Sequence, residues 1–174
     1  TNQFGYDSRG RLGTLSSPDG VTLTYGYDGS LLTSETWSGA VAGTVSHTYN
    51  SALLPASQTV AGNTASLTYD PDLLLTQAGG LTITRRSDNG RVSGTSVTQA
   101  GSTVTSELSY SSVGELGRQS YRRNGTALFD EILSRDSLGR IVQVEETAFG
   151  SSRTRGYCYD DAGRLTYAGN VGLG

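Results

Sequence analysis

The side chains of this sequence that could do chemistry are few, and their spacing does not bring them together. His47 is the only histidine and Cys158 the only cysteine. A nucleophilic triad needs a base that is oriented by an acid and faces a nucleophile. Serines abound, but none is selected by its spacing from His47, which lies in a strand-like run ending at Tyr49. It reads as an ordinary strand residue. Cys158 sits between Tyr157 and Tyr159 with no histidine near it in sequence, and it reads as a buried small hydrophobe. Asp160-Asp161 and Asp70-x-Asp72 lack the ligand ladder and distal Glu of a calcium loop. They read as turn caps. Glu145 and Glu146 are neighbours, so on a strand they point to opposite faces and cannot flank one glycosidic bond.

The remaining candidates are weaker. Trp37 could stack on a sugar, but a single Trp beside a turn reads as packing. Asn124-Gly125-Thr126 matches a glycosylation sequon, yet Asn-Gly is also the strongest hairpin-turn dipeptide. No glycine-rich phosphate loop lies between a strand and a helix. All 13 basic residues are arginine, interleaved with acids under a net charge of −3. That balance argues against a nucleic-acid surface. No catalytic residue, metal site or cofactor is expected.

A different pattern dominates. Tyr159-Asp160-Asp161-Ala162-Gly163-Arg164-Leu165 recurs most clearly as Tyr6-Asp7-Ser8-Arg9-Gly10-Arg11-Leu12. Further copies are Arg86-Ser87-Asp88-Asn89-Gly90-Arg91-Val92, Tyr110-Ser111-Ser112-Val113-Gly114-Glu115-Leu116 and Arg135-Asp136-Ser137-Leu138-Gly139-Arg140-Ile141. Three eroded or shortened copies start at Tyr27-Asp28, Tyr49-Asn50 and Tyr69-Asp70. The eight starts, at 6, 27, 49, 69, 86, 110, 135 and 159, are spaced by roughly twenty residues, the signature of a stacked repeat.

Each copy reads as a hairpin corner. An aromatic ends one strand, and Asp or Asn opens a turn by bonding its own backbone. Gly then supplies a positive φ, and Arg with an aliphatic residue begins the return. This spacing predicts Tyr and Arg of one corner near each other across the pair. Arg–Tyr stacking and Arg–Asp pairing are expected between adjacent rungs. The corner residues so assigned are Tyr6, Asp7, Gly10 and Arg11; Tyr27 and Asp28; Tyr49 and Asn50; Tyr69 and Asp70; Gly90 and Arg91; Tyr110 and Gly114; Asp136, Gly139 and Arg140; and Tyr159, Asp160, Gly163 and Arg164.

Second turns fall between the corners, at Ser17-Pro18-Asp19-Gly20, Ser38-Gly39, Ala61-Gly62-Asn63, Gly79-Gly80, Ala100-Gly101-Ser102, Asn124-Gly125 and Phe149-Gly150-Ser151. Between turns the sequence alternates: Val21, Leu23, Tyr25 and Tyr27 on one face, Thr22, Thr24 and Gly26 on the other. The fold class is therefore all-β, with about eight antiparallel hairpin units. The short unit between 69 and 86 is expected to be a truncated hairpin, leaving one array over residues 1–174. A meander with one apolar face must bury it by coiling on itself or against another sheet.

No hydrophobic run approaches the ~20 residues of a membrane span, and no signal-peptide pattern is present. The chain starts inside a repeat and ends in Tyr167-Ala168-Gly169-Asn170-Val171-Gly172-Leu173-Gly174 without a cap. It is expected to be a piece of a longer protein, or a product processed from one.

The repeated Tyr-Asp-x-x-Gly-Arg-Leu resembles the YD repeat of RHS proteins, whose relatives include the shell-forming subunits of bacterial Tc toxins and the teneurins of animals. The resemblance covers essentially the whole chain. It implies a ribbon of strands that spirals into a hollow shell, enclosing a toxic effector domain in secreted bacterial members. In teneurins it implies part of an extracellular receptor. Partners would be other repeats of the same polypeptide or copies of the chain joined through strand edges, and the location secreted or cell-surface. The self-cleavage boundary of bacterial members, an Asp-Pro segment followed by Gly-Leu, has no match: Asp70-Pro71-Asp72 lacks the Gly-Leu. The implied role is structural rather than enzymatic. An adhesion module or a self-assembling filament subunit is the alternative.

Overall fold

In a computed structural model, residues 1–170 are described; 171–174, the end of the C-terminal segment read above as lacking a cap, lie outside them. The described residues form sixteen strands and no helix. They fall into two compact units that part at Gly79 and Gly80, within the shortest repeat.

The first unit is an antiparallel meander, each strand pairing with the next: β1 (Gln3–Tyr6), β2 (Leu12–Ser16), β3 (Thr22–Asp28), β4 (Leu31–Ser38), β5 (Gly43–Tyr49), β6 (Pro55–Val60), β7 (Asn63–Tyr69) and β8 (Leu75–Ala78). The second unit repeats the plan with β9 (Leu81–Arg85), β10 (Val92–Gln99), β11 (Ser102–Tyr110), β12 (Leu116–Arg123), β13 (Thr126–Arg135), β14 (Ile141–Ala148), β15 (Ser151–Tyr159) and β16 (Leu165–Asn170).

The turns show why these residues reverse the chain. At Asp7 the carbonyl accepts from the Gly10 N–H (3.0 Å) and the N–H donates to the Arg11 carbonyl (2.9 Å). Gly10 has φ +78°, giving a three-residue loop with a left-handed last member. Leu53 and Leu73 occupy the same place in their corners at φ +61° and +63°. The copies at Tyr49 and Tyr69 are therefore full-length, with leucine standing where glycine is least strained. Only the copy at Tyr27 is shortened, since Asp28 pairs directly with Leu31. The copy at 86 is instead longer by one residue: the Arg86 N–H donates to the Arg91 carbonyl, and Arg85 takes the tyrosine's place opposite Val92.

A feature invisible in the motif accompanies every corner. Tyr6 faces Leu12 while Gly5 faces Thr14, so Gly13 is an extra residue on the returning strand. The same bulge recurs beside Tyr27, Tyr49, Tyr69, Arg85, Tyr110, Arg135 and Tyr159. A bulge sharpens local twist and leaves a residue out of the ladder.

Neither unit buries its apolar face as the alternation led us to expect. Among the described residues Val144 is the one buried hydrophobic, while Phe4, Tyr6, Leu53 and Leu73 are more than half exposed. Each unit is one layer thick at these positions. In the first unit the other face is rich in hydroxyls: Thr14, Thr24, Thr36 and Thr44 are opposed across four strands, as are Ser34, Ser46, Thr59 and Thr64. Facing hydroxyls bond each other, as in Thr36–Thr44 (3.1 Å) and Thr59–Thr64 (2.8 Å).

Candidate functional site

With so little buried, what joins one repeat to the next becomes the question. Each corner first secures itself. Asp7 Oδ1 accepts from the backbone N–H of Arg9 (2.8 Å) and Arg11 (2.9 Å), and Oδ2 accepts from Arg11 Nε (2.7 Å). Asp136 and Asp160 hold Arg140 and Arg164 in the same way. Asn50 and Asp70 make only the backbone bonds, because Leu54 and Leu74 replace the arginine. Arg–Asp pairing thus lies inside these corners, while across the neighbouring strands β12 and β13 Arg118 Nε donates to Asp130 (2.9 Å).

The arginine at that place in a corner then reaches the tyrosine of the following corner. Arg11 lies 4.4 Å from the centre of the Tyr27 ring, Arg91 5.5 Å from Tyr110 and Arg140 4.6 Å from Tyr159. Tyr27 donates its hydroxyl to the Leu12 carbonyl (2.9 Å), the residue just before the bulged Gly13. The same bond joins Tyr49 to Leu32, Tyr69 to Pro55, Tyr110 to Val92 and Tyr159 to Ile141. The stacking partner is the next corner's tyrosine, so Arg–Tyr stacking runs between adjacent rungs as expected.

One joint keeps the geometry with different chemistry. The corner beginning at Tyr110 carries Glu115 in the arginine's place, and the next carries Arg135 in the tyrosine's. Arg135 Nη2 donates to the Leu116 carbonyl (3.2 Å), as a phenol does elsewhere, and Arg135 Nε lies 3.5 Å from Glu115. The swap of both partners is visible in sequence once the joint is known. Glu115→Arg alone should set two guanidiniums against each other and cost about 1–2 kcal/mol. Adding Arg135→Tyr should recover most of that loss in a double-mutant cycle by urea unfolding. Additive losses would count against the joint.

The caps predict an acid limb. Backbone hydrogen bonds from Arg164 and Arg11, followed by their guanidiniums, hold Asp160 and Asp7 below the usual carboxylate range. At Asp136 burial is the largest influence and pushes upward, but the bonds from Arg140 and Leu138 together outweigh it. A carboxyl depressed on folding contributes stability above its unfolded pKa of about 3.9 and loses it as pH falls through the folded value. The melting temperature should hold from neutral pH down to about 5 and drop below about 4. Asn at 7, 136 and 160 keeps the backbone acceptor and should flatten that drop.

The other sequence candidates are dispersed. His47 Nε2 is 4.0 Å from Glu35 Oε2 on the neighbouring strand. Cys158 is exposed, not buried as its apolar neighbours suggested, because β15 turns it to the face opposite Tyr157 and Tyr159. Trp37 lies across Gly43, where a β-carbon would overlap the indole. Asn124 spends its amide on the Thr103 N–H (2.7 Å). Glu146 pairs with Arg153 (2.6 Å) and Arg155 (3.2 Å). Among the described residues no three His, Cys, Asp or Glu side chains converge. The arrangement is one of mechanical contacts: within each unit, each repeat after the first grips the carbonyl of its predecessor.

The model of the teneurin YD-shell family matches residues 1–172. No curated protein matches the sequence. Among solved structures, the crystal structure of TcdB2-TccC3-Cdc42 is similar over 97% of this chain and 10% of that one, at 13% identity and a TM-score of 0.66. TcdB2-TccC3 without its hypervariable C-terminal region gives the same values. A Tc holotoxin pore of Photorhabdus luminescens is similar over 97% of this chain and 9% of that one, at 18% identity and a TM-score of 0.52. The chain thus spans about a tenth of these structures, with which it shares an all-β repeat fold.

Proposed function

Because the chain belongs to the teneurin YD-shell family, we propose that it is one stretch of a repeat-built shell wall enclosing a toxin or effector domain in a secreted or cell-surface bacterial protein. In this reading residues 1–174 are a single array and the chain carries out no reaction. Its Tyr, Asp, Gly and Arg corner residues serve to fix each repeat on the last. Its partners are further repeats of the same polypeptide and the enclosed domain.

The observation that carries the reading is the tyrosine-to-carbonyl bond. It recurs at one place in the corners of each unit, with Arg135 standing in for the tyrosine once, while among the described residues almost no apolar side chain is buried. A wall made this way gains stability from its continuation, since each repeat contacts its neighbours alone. The test is to purify the source polypeptide under native conditions and image it. A hollow particle with enclosed density, whose contents resist protease until the wall is opened, is the expected result. A compact particle with no interior would overturn it.

A further inference from the structure

We infer that the cleft between the corner beginning at Arg86 and the corner beginning at Tyr110 binds a carboxylate brought by a ligand. Two departures from the repeat leave complementary groups there. At Asp7, Asn50, Asp70 and Asp136 the cap oxygen accepts from two backbone N–H groups, those two and four residues on. Ser111 holds that place in the corner beginning at Tyr110, and its shorter side chain reaches only one. Its Oγ accepts from the Glu115 N–H (3.2 Å). The Val113 N–H, counterpart of the Arg9 N–H that Asp7 takes, has no acceptor among the described residues.

The neighbouring corner has the opposite lack. Arg11, Arg140 and Arg164 are each held by the aspartate of their own corner. Arg91 has no such aspartate: Asn89 caps its N–H (3.0 Å), and Asp88 is engaged by Arg86 at 2.9 and 2.7 Å. The Arg91 guanidinium lies over the Tyr110 ring and donates to the Gly114 carbonyl, inside the corner that Ser111 caps incompletely. Between the two corners is a cleft of about 280 Å³, lined by Arg86 and Arg91 on one side and by Ser111, Ser112 and Val113 on the other. Two guanidiniums against Asp88 leave it net positive, and Glu115 turns to Arg135 in the next corner (3.5 Å). Turn amides beside such charge form an anion-binding concavity. A carboxylate is the group these donors take elsewhere in the chain: Asp7 satisfies turn amides with one oxygen and a guanidinium with the other. In the cleft one oxygen of the ligand would accept from the Val113 N–H and the Ser111 hydroxyl, and the other from Arg91, by charge-assisted bonds. The inference rests on these two corners and not on the shell.

Thermal melting of the full chain in sodium acetate against sodium chloride, at matched ionic strength and neutral pH, tests it. A ligand that binds only the folded state raises the melting temperature with its concentration. A rise of about 3–5 °C is expected when acetate reaches ten times its dissociation constant. Arg91→Gln should weaken that constant about tenfold, the loss of a charge-assisted bond. Ser111→Asp builds the full cap into the chain. It should melt above the parent in chloride and respond no further to acetate. A short peptide blocked at both ends and carrying one Glu separates the sources of the carboxylate. Tighter binding than acetate assigns the cleft to an acidic side chain of a polypeptide, and equal binding to a small free acid. Equal melting in acetate and chloride, or a larger response to phosphate than to acetate, would overturn the inference. So would an undiminished response in Arg91→Gln or a persisting one in Ser111→Asp.

Discussion

Tyr159→Ala should destabilise the protein by about 3 kcal/mol, and Tyr159→Phe by only about 1 kcal/mol. The larger figure combines three losses. The half-buried ring forfeits apolar contact, Arg140 loses the face on which it rests 4.6 Å away, and the Ile141 carbonyl loses its donor at 2.8 Å. The phenylalanine keeps the first two and loses the third. Tyr27→Ala and Tyr27→Phe should show the same ordering in the first unit, where Arg11 and the Leu12 carbonyl are the partners. Equilibrium urea unfolding measures both series. If phenylalanine costs as much as alanine, the ring and its arginine contribute nothing and the joint reduces to one hydrogen bond. If neither substitution matters, the repeats are held by the strand ladder alone.

Gly94→Ala should cost about 2–3 kcal/mol, while Gly26→Ala costs less than about 1 kcal/mol. Both glycines sit beside the bulge of a corner, and both would gain a methyl in close contact across the sheet. The difference is what the methyl meets. At Gly94, which is buried and pairs with Thr84 on one side and Glu107 on the other, a β-carbon would lie 2.6 Å from the Ser106 carbonyl oxygen. That atom is backbone inside a ladder and cannot turn away. At Gly26 the obstacle is the Ser34 hydroxyl, which can adopt another rotamer. Strand propensity favours alanine over glycine at both sites, so Gly26→Ala approaches neutrality. Comparable losses at the two positions would show that the sheet slides to accommodate a methyl.

The corners were legible because their demands are local. Asp or Asn capping two amides and a residue at positive φ leave marks within seven residues, so the all-β fold and its period could be read from spacing. The joint was not legible for the opposite reason. Its partners, such as Tyr27 and Leu12, lie fifteen residues apart, and the acceptor is a main-chain carbonyl that any residue supplies. Pro55 fills that role for Tyr69 with no consensus side chain at all. The bulge leaves no side-chain signature either, since its extra residue is Gly13 in one corner, Thr33 in the next and Val142 in another. Leu53 and Leu73 misled in a different way: reading glycine as obligatory made full-length corners look shortened.

The hydroxyl face of the first unit has a consequence for whatever rests against it. The opposed rows that run from Thr14 and Ser16 across to Thr64 and Ser66 carry no ionised side chain, Asp28 lying beyond them at the end of β3, and Glu35 and His47 lie on the opposite face. A surface without fixed charge gathers no counterions and has none to release. Contact with it should be indifferent to ionic strength, whereas contact with the arginine- and acid-bearing strands of the second unit should weaken as salt is added.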